Sequence, residues 1–151
     1  MAFIVSIIII ILDQISKSFA IKYLKGKRPY VIIENFFQLN YVENKGAAFG
    51  ILQNKRILFV IITLIVIIFL TFYLGKHYNQ LNKYIRITLA LLLGGATGNL
   101  IDRIKFGYVV DFISFRLFNR YDFPVFNIAD ICIVISTFIV MLMVLFDEIE
   151  V

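Results

Sequence analysis

The chain is poor in the residues that most often build catalytic centres. It has one histidine and one cysteine in 151 residues, and no tryptophan. A single cysteine, Cys132, rules out a disulfide within the chain. A lipidated thiol at that position would call for small residues before it, and Asp130 and Ile131 stand there instead. Cys132 therefore reads as a buried packing thiol. The lone His77, in the polar stretch GKHYNQLNKY, excludes a histidine-rich metal site. No Ser, His and Asp set falls near one membrane face. A Ser–Lys dyad drawn from Ser16 or Ser18 and Lys17 would join adjacent residues that point around a helix. GGATGN lacks the Lys–Ser/Thr pair and the preceding strand of a phosphate-binding loop. Charge is also scarce, at 17% of residues against 61% hydrophobic, where a soluble domain carries roughly a quarter and a half.

What is abundant is hydrocarbon, arranged in blocks. Residues 57–75 carry no charge and, at about 1.5 Å per residue, reach roughly 28 Å, close to one bilayer core. Residues 128–146 match that length with one charge, Asp130. Residues 2–24 and 85–101 are weaker spans. The first has no basic leader and no small-x-small cleavage site, and Asp13 and Lys17 interrupt it, so it reads as a retained helix rather than a cleaved signal. Four transmembrane helices follow, in a single membrane domain over residues 1–151. The net charge of +5 is spread through the connections, which fits lipid headgroups better than nucleic acid. Many of the 24 Phe and Tyr residues lie near span ends, where rings favour the interface.

The connections are unequal. In the first, about 25–56, bulky residues recur at Val31, Ile33, Phe37, Leu39 and Tyr41, with one break at Asn35, a period near two that predicts short strands. NKGAAFG (44–50) follows, a backbone that can turn tightly. The third, about 104–126, carries Asp111 and then a mixture of rings and charges. Lys25, Lys27, Arg28, Lys45, Lys55, Arg56, Lys105, Arg116 and Arg120 lie on the side of these two loops, and only Lys76, Lys83 and Arg86 opposite. Taken literally, the positive-inside rule puts both termini outside.

An acid at a helix centre costs roughly 2.5–3.5 kcal/mol on insertion scales, so each one requires a reason. Asp13 and Lys17, with Gln14 between them, are four apart on one helical face, either a self-neutralising pair or one wall of a buried site. In GGATGNLIDR (94–103), Gly94 and Gly98 permit a close helix crossing. Asn99, Asp102 and Arg103 beside them read structurally as a charge cluster snorkelling to the interface. Asp111 follows the third span and Asp130 opens the fourth, so both lie at the same membrane face. Should they converge, they cannot both ionise comfortably, and a pair sharing one proton can activate water and protonate a leaving amine. Asn127, three residues before Asp130, can hydrogen-bond a carboxylate or a substrate carbonyl. Spacing alone leaves other readings: unrelated interfacial acids, relay sites of a proton- or ion-conducting membrane protein, and a purely structural membrane subunit, which leaves the costly acids without a role. A carrier favours acids spread across the membrane depth.

DQISK (13–17), NKGAAFG (44–50), GNLIDR (98–103), VVDFI (109–113) and FNIAD (126–130), in this order, closely resemble the motifs of the lipoprotein signal peptidases, signal peptidase II. The resemblance covers essentially the whole chain. It implies a membrane aspartic protease of bacteria, four transmembrane helices with a small extracytoplasmic β-cradle around residues 31–50. The activity implied is removal of the signal peptide from prolipoproteins by cleavage before a diacylglyceryl-modified cysteine. The family's catalytic pair falls on Asp111 and Asp130. Its supporting and substrate-binding positions fall on Asp13, Lys17, Asn44, Gly46, Asn99, Arg103 and Asn127, with Asp102 in a structural role. The resemblance calls for no metal or organic cofactor and no nucleic acid, and implies a monomer among membrane lipids. It also places both termini in the cytoplasm and the active site near the outer face, against the charge count.

Overall fold

The computed structural model describes residues 2–46, 53–117 and 121–146. Four helices account for most of them: α1 (Ala2–Leu24), α2 (Arg56–Lys76), α3 (Lys83–Lys105) and α4 (Ile128–Leu145). All four are long and apolar enough to cross a membrane. The helix limits lie within four residues of the expected spans, the largest difference being at the end of α3.

The chain is arranged around α3, which packs against each of the other three helices. It is the least hydropathic of the four spans and the most buried, and glycine explains both. A side chain at Gly94 would bring its Cβ within 2.9 Å of Ile9 and of the Ser6 carbonyl on α1. One at Gly95 would come within 2.6 Å of the Ala129 carbonyl on α4. Two adjacent glycines thus let two different helices approach the α3 backbone to van der Waals distance. On its remaining side, Ile85, Leu89 and Leu93, together with Leu81 just before the helix, pack against Leu70 and Leu74 of α2. Large residues on α1, α2 and α4 point outward, among them Ile7, Ile11, Ile61, Ile65, Phe69, Val134 and Phe138. In water such a surface would aggregate; in a bilayer it is the lipid contact.

A four-stranded antiparallel sheet in the order β1-β2-β3-β4 lies at the end of the bundle where α1 and α3 finish and α4 begins. Its strands are β1 (Tyr30–Ile33), β2 (Phe37–Asn44), β3 (Val109–Leu117) and β4 (Tyr121–Asp122). The alternation read from the first connection corresponds to β1 and β2. Its break at Asn35 is the turn between them, where Asn35 takes φ +59°, a left-handed conformation that asparagine tolerates better than most residues. Between Leu39 and Val42, β2 carries one more residue than β3. That β-bulge bends the strand beside Asp111, which pairs with Val42. β3 goes beyond the strands expected from the sequence, because Val109–Phe112 are buried in succession and show no alternation. Residues 47–50 of NKGAAFG, together with Arg120, lie outside the described residues.

Candidate active site

The end of α4 nearest the sheet is built from a local signal. Asn127 is the N-cap: its Oδ1 accepts from Asp130 N at 2.9 Å, and Asp130 Oδ2 accepts from Asn127 N at 3.2 Å. FNIAD is therefore a reciprocal capping box, which satisfies helix donors that water cannot reach. Asn127 still has its amide NH2 free, and it donates to Asp111 Oδ1 at 2.6 Å. One asparagine thus joins the two acids. Asp111 reaches this point on β3, held by the pairing of that strand with β2 and by the bridge of Ile113 to Phe126. Its second oxygen accepts from Asn44 Nδ2 at 3.0 Å, and Asn44 Oδ1 in turn accepts from Gly46 N at 3.0 Å.

Asp111 and Asp130 both line a cavity of about 830 Å³. Asn44, Gly46, Asn99 and Arg103 contribute to its polar wall, and Phe123, Pro124, Phe126, Ile131 and Val134 to its apolar one. The Asp111 carboxyl is 1% exposed. Burial, followed by the negative charge of Asp130, pushes its pKa up to about 7. An acid that titrates near neutrality beside a second acid is the condition for a pair that can both give and take a proton.

Behind this pair lies a second polar layer. Lys17 Nζ pairs with Asp13 Oδ2 at 2.8 Å and Asp102 Oδ2 at 3.0 Å, and donates to Asn99 Oδ1 at 2.9 Å. Asn99 Nδ2 then donates to Asp130 Oδ1 at 2.7 Å. The spare oxygens are also engaged: Asp13 Oδ1 accepts from Ala129 N at 3.0 Å, and Asp102 Oδ1 from Gln14 Nε2 at 2.9 Å. Asp102 Oδ2 accepts Val110 N at 3.0 Å, so this acid ties the strand that carries Asp111 to α3. The snorkelling expected of Asp102 is corrected by these contacts. Asp102 is 1% exposed and turned inward to Lys17, because two buried acids and one ammonium leave fewer unpaired charges than any single excursion to the interface. Arg103 does not snorkel freely either: it donates to the Gly46 carbonyl at 3.4 Å and stacks over Phe59 at 5.1 Å.

The polar residues singled out from the sequence motifs, from Asp13 to Asp130, thus form one continuous network that runs from the middle of α1 to the sheet at the end of the bundle. Ser16 and Ser18 donate to carbonyls of their own helix, Asp13 O and Gln14 O, rather than to Lys17. Two features escaped sequence reasoning. Gln14, to which the sequence assigns no role of its own between Asp13 and Lys17, bridges Asp13 to Asp102. The apolar wall of the cavity resembles lipid-facing sequence, and no periodicity separates the two.

Comparison with known proteins agrees with this arrangement. A family model described as signal peptidase (SPase) II matches residues 5–146. A lipoprotein signal peptidase from Caldanaerobacter subterraneus subsp. tengcongensis is 47% identical over 147 residues, 97% of each chain. Another, from Clostridium tetani, is 42% identical over 149 residues, covering 98% of this chain and 94% of the relative. A bacterial membrane enzyme solved by the in meso method at 2.3 Å resolution superposes with a TM-score of 0.87 at 35% identity, over 98% of this chain and 89% of that one. With four spans, a small antiparallel sheet and a match along nearly its whole length, the chain belongs to the signal peptidase II family and is a membrane protease.

Proposed function

We propose that the chain is an aspartic endopeptidase that removes signal peptides from bacterial prolipoproteins, cutting before the diacylglyceryl-modified cysteine, with Asp111 and Asp130 as its catalytic pair. The observation that carries this reading is the meeting of two acids, from a strand and from a helix cap, on one cavity through the amide of Asn127. A water between them loses a proton to one carboxylate and attacks the scissile carbonyl while the other acid protonates the carbonyl oxygen. The proton taken from water then passes to the departing amine, and a hydroxyl proton of the intermediate returns to the second acid. Asn99, Asn127 and Asn44 hold the acids in place by hydrogen bonds of 2.6 to 3.0 Å. Arg103 and the backbone at Gly46 form the edge over which the peptide would lie. Asp13, Lys17 and Asp102 support the pair from behind.

The cavity has a polar wall beside an apolar one on α4, whose Val134 and Ile135 also face the lipid. This is the setting for a peptide bond at the acids and acyl chains along the helix. One chain supplies every named group, which supports action as a monomer within one membrane domain. The reading places the protein in the bacterial cytoplasmic membrane, with sheet and cavity at the extracytoplasmic face and both termini opposite.

The test is incubation of the purified protein with a diacylglyceryl-modified precursor and, in parallel, its unmodified form. Only the modified form is cut, and Asp111→Asn and Asp130→Asn each abolish the cut while still inserting in the membrane. Turnover at the wild-type rate by either variant would remove that acid from catalysis.

A further inference from the structure

The buried cation behind the acid pair touches neither the cavity nor any step of the reaction above, and it is not placed evenly between the two acids. An ammonium offers only donors, so the Asn99 oxygen must face Lys17 at 2.9 Å. The Asn99 NH2 is thereby committed to Asp130 Oδ1 at 2.7 Å. The other Asp130 oxygen meets the Asn127 backbone N–H in the first turn of α4, where the helix macrodipole favours negative charge. Arg103 lines the same cavity as both acids. Asp13, the remaining acid that faces Asp130, is paired with Lys17 at 2.8 Å. Among the described residues, the side-chain hydrogen bonds to Asp111 come from the neutral amides of Asn44 and Asn127, and Asp111 lies on a strand rather than in the first turn of a helix.

We infer that Lys17, acting through the Asn99 amide, decides where the shared proton resides: Asp130 enters the reaction as the carboxylate and base, and Asp111 as the protonated acid. The inference rests on the dyad proposed above and deepens it. Burial, which holds the Asp111 carboxyl up to about 7 with the help of the Asp130 charge, agrees with this division. The step balances as follows. Asp130 takes one proton from water, the hydroxide oxygen bonds to the scissile carbon, and the Asp111 proton passes to the carbonyl oxygen, giving a neutral gem-diol. The Asp130 proton then goes to the amide nitrogen as the carbon–nitrogen bond breaks, and one gem-diol proton returns to Asp111. A carboxylic acid and an amine leave, and both acids regain their starting states. Lys17 is a positioning residue: it contacts no reacting atom.

The pH profile of kcat/KM for the full-length enzyme on a diacylglyceryl-modified precursor tests this. The acid limb reports loss of the Asp130 carboxylate, and the basic limb loss of the Asp111 proton. Lys17→Gln should move the acid limb toward neutral pH by about one pH unit, the effect of removing a nearby opposite charge, and move the basic limb less. Lys17→Arg should restore the wild-type acid limb. Asn99→Leu, which keeps the Lys17 ion pairs, gives the same displacement if Lys17→Gln fails to fold. Carbon-13 spectra of the wild-type enzyme labelled at aspartate Cγ, just below neutral pH, should show a carboxylic acid at Asp111 and a carboxylate at Asp130. A carboxylic acid at Asp130, a larger move of the basic limb, or an unmoved profile with only a lower Tm would overturn the assignment. Failure of the dyad itself reads differently, as turnover by Asp111→Asn or Asp130→Asn.

Discussion

Asp111→Asn should inactivate the enzyme and, at alkaline pH, make it more stable. The Asp111 carboxyl is raised from 3.8 to about 7, first by burial and then by the Asp130 charge. An acid whose pKa is higher folded than unfolded stabilises the fold fully below the unfolded value and loses that contribution as pH rises through the folded value. The window is therefore about pH 4 to 7, with the loss complete by about pH 8. At about 1.4 kcal/mol per tenfold difference in proton affinity, it is on the order of 4 kcal/mol. Asparagine cannot ionise, so the variant escapes this loss. It has its own cost: both Asp111 oxygens accept amide N–H groups, from Asn127 and Asn44, and asparagine replaces one acceptor by a donor. A mismatched buried hydrogen bond costs about 1–3 kcal/mol. The two stability curves should therefore cross, with wild type more stable at about pH 4 and the variant more stable at about pH 8. Thermal unfolding in one detergent across that range, followed by intrinsic tyrosine signal or by protease protection, measures both limbs. Parallel curves would refute the claim that Asp111 is held in the fold against its own ionisation.

Two further substitutions separate close packing from surface decoration. Gly98→Ala would put a Cβ 2.5 Å from Asp13 Oδ2, forcing apart α1 and α3 at the buried ion cluster. A loss of about 1–3 kcal/mol, typical of overpacking, should appear as a lower Tm together with lower turnover. Arg116→Ala removes an ion pair of 2.7 Å to Asp122 in which both side chains are largely solvent-facing. Since exposed pairs contribute little, Tm and turnover should both stay at wild-type values.

The spans were legible because lipid is a uniform solvent. A helix that must satisfy all its backbone groups while facing hydrocarbon needs about twenty apolar residues, and α1, α2 and α4 show that run directly. α3 was fainter for the same reason it is central: twelve of its residues are buried against protein, where glycine, asparagine and acid can replace hydrocarbon. The strands divided likewise. β1 and β2 announce themselves by alternation, but in VVDFISFRL the residues Val109–Phe112 are all buried. With neither side exposed, the alternation is erased. The capping box of FNIAD was also local, and Asn127 and Asp130 could be paired from it alone.

Sequence by itself determined the number of spans, the two strands of the first loop and the types of residue at the site, because these depend on solvent and on neighbours a few positions away. Only the tertiary structure decided that Asp102 turns inward to Lys17, and that Asn99 links that cation to Asp130. It also decided that Asp111 and Asp130 share one cavity. Contacts of this network join residues up to 116 positions apart, as between Asp13 and Ala129. They follow from the close approach that Gly94, Gly95 and Gly98 allow, and a glycine does not state in sequence which backbone will come near it.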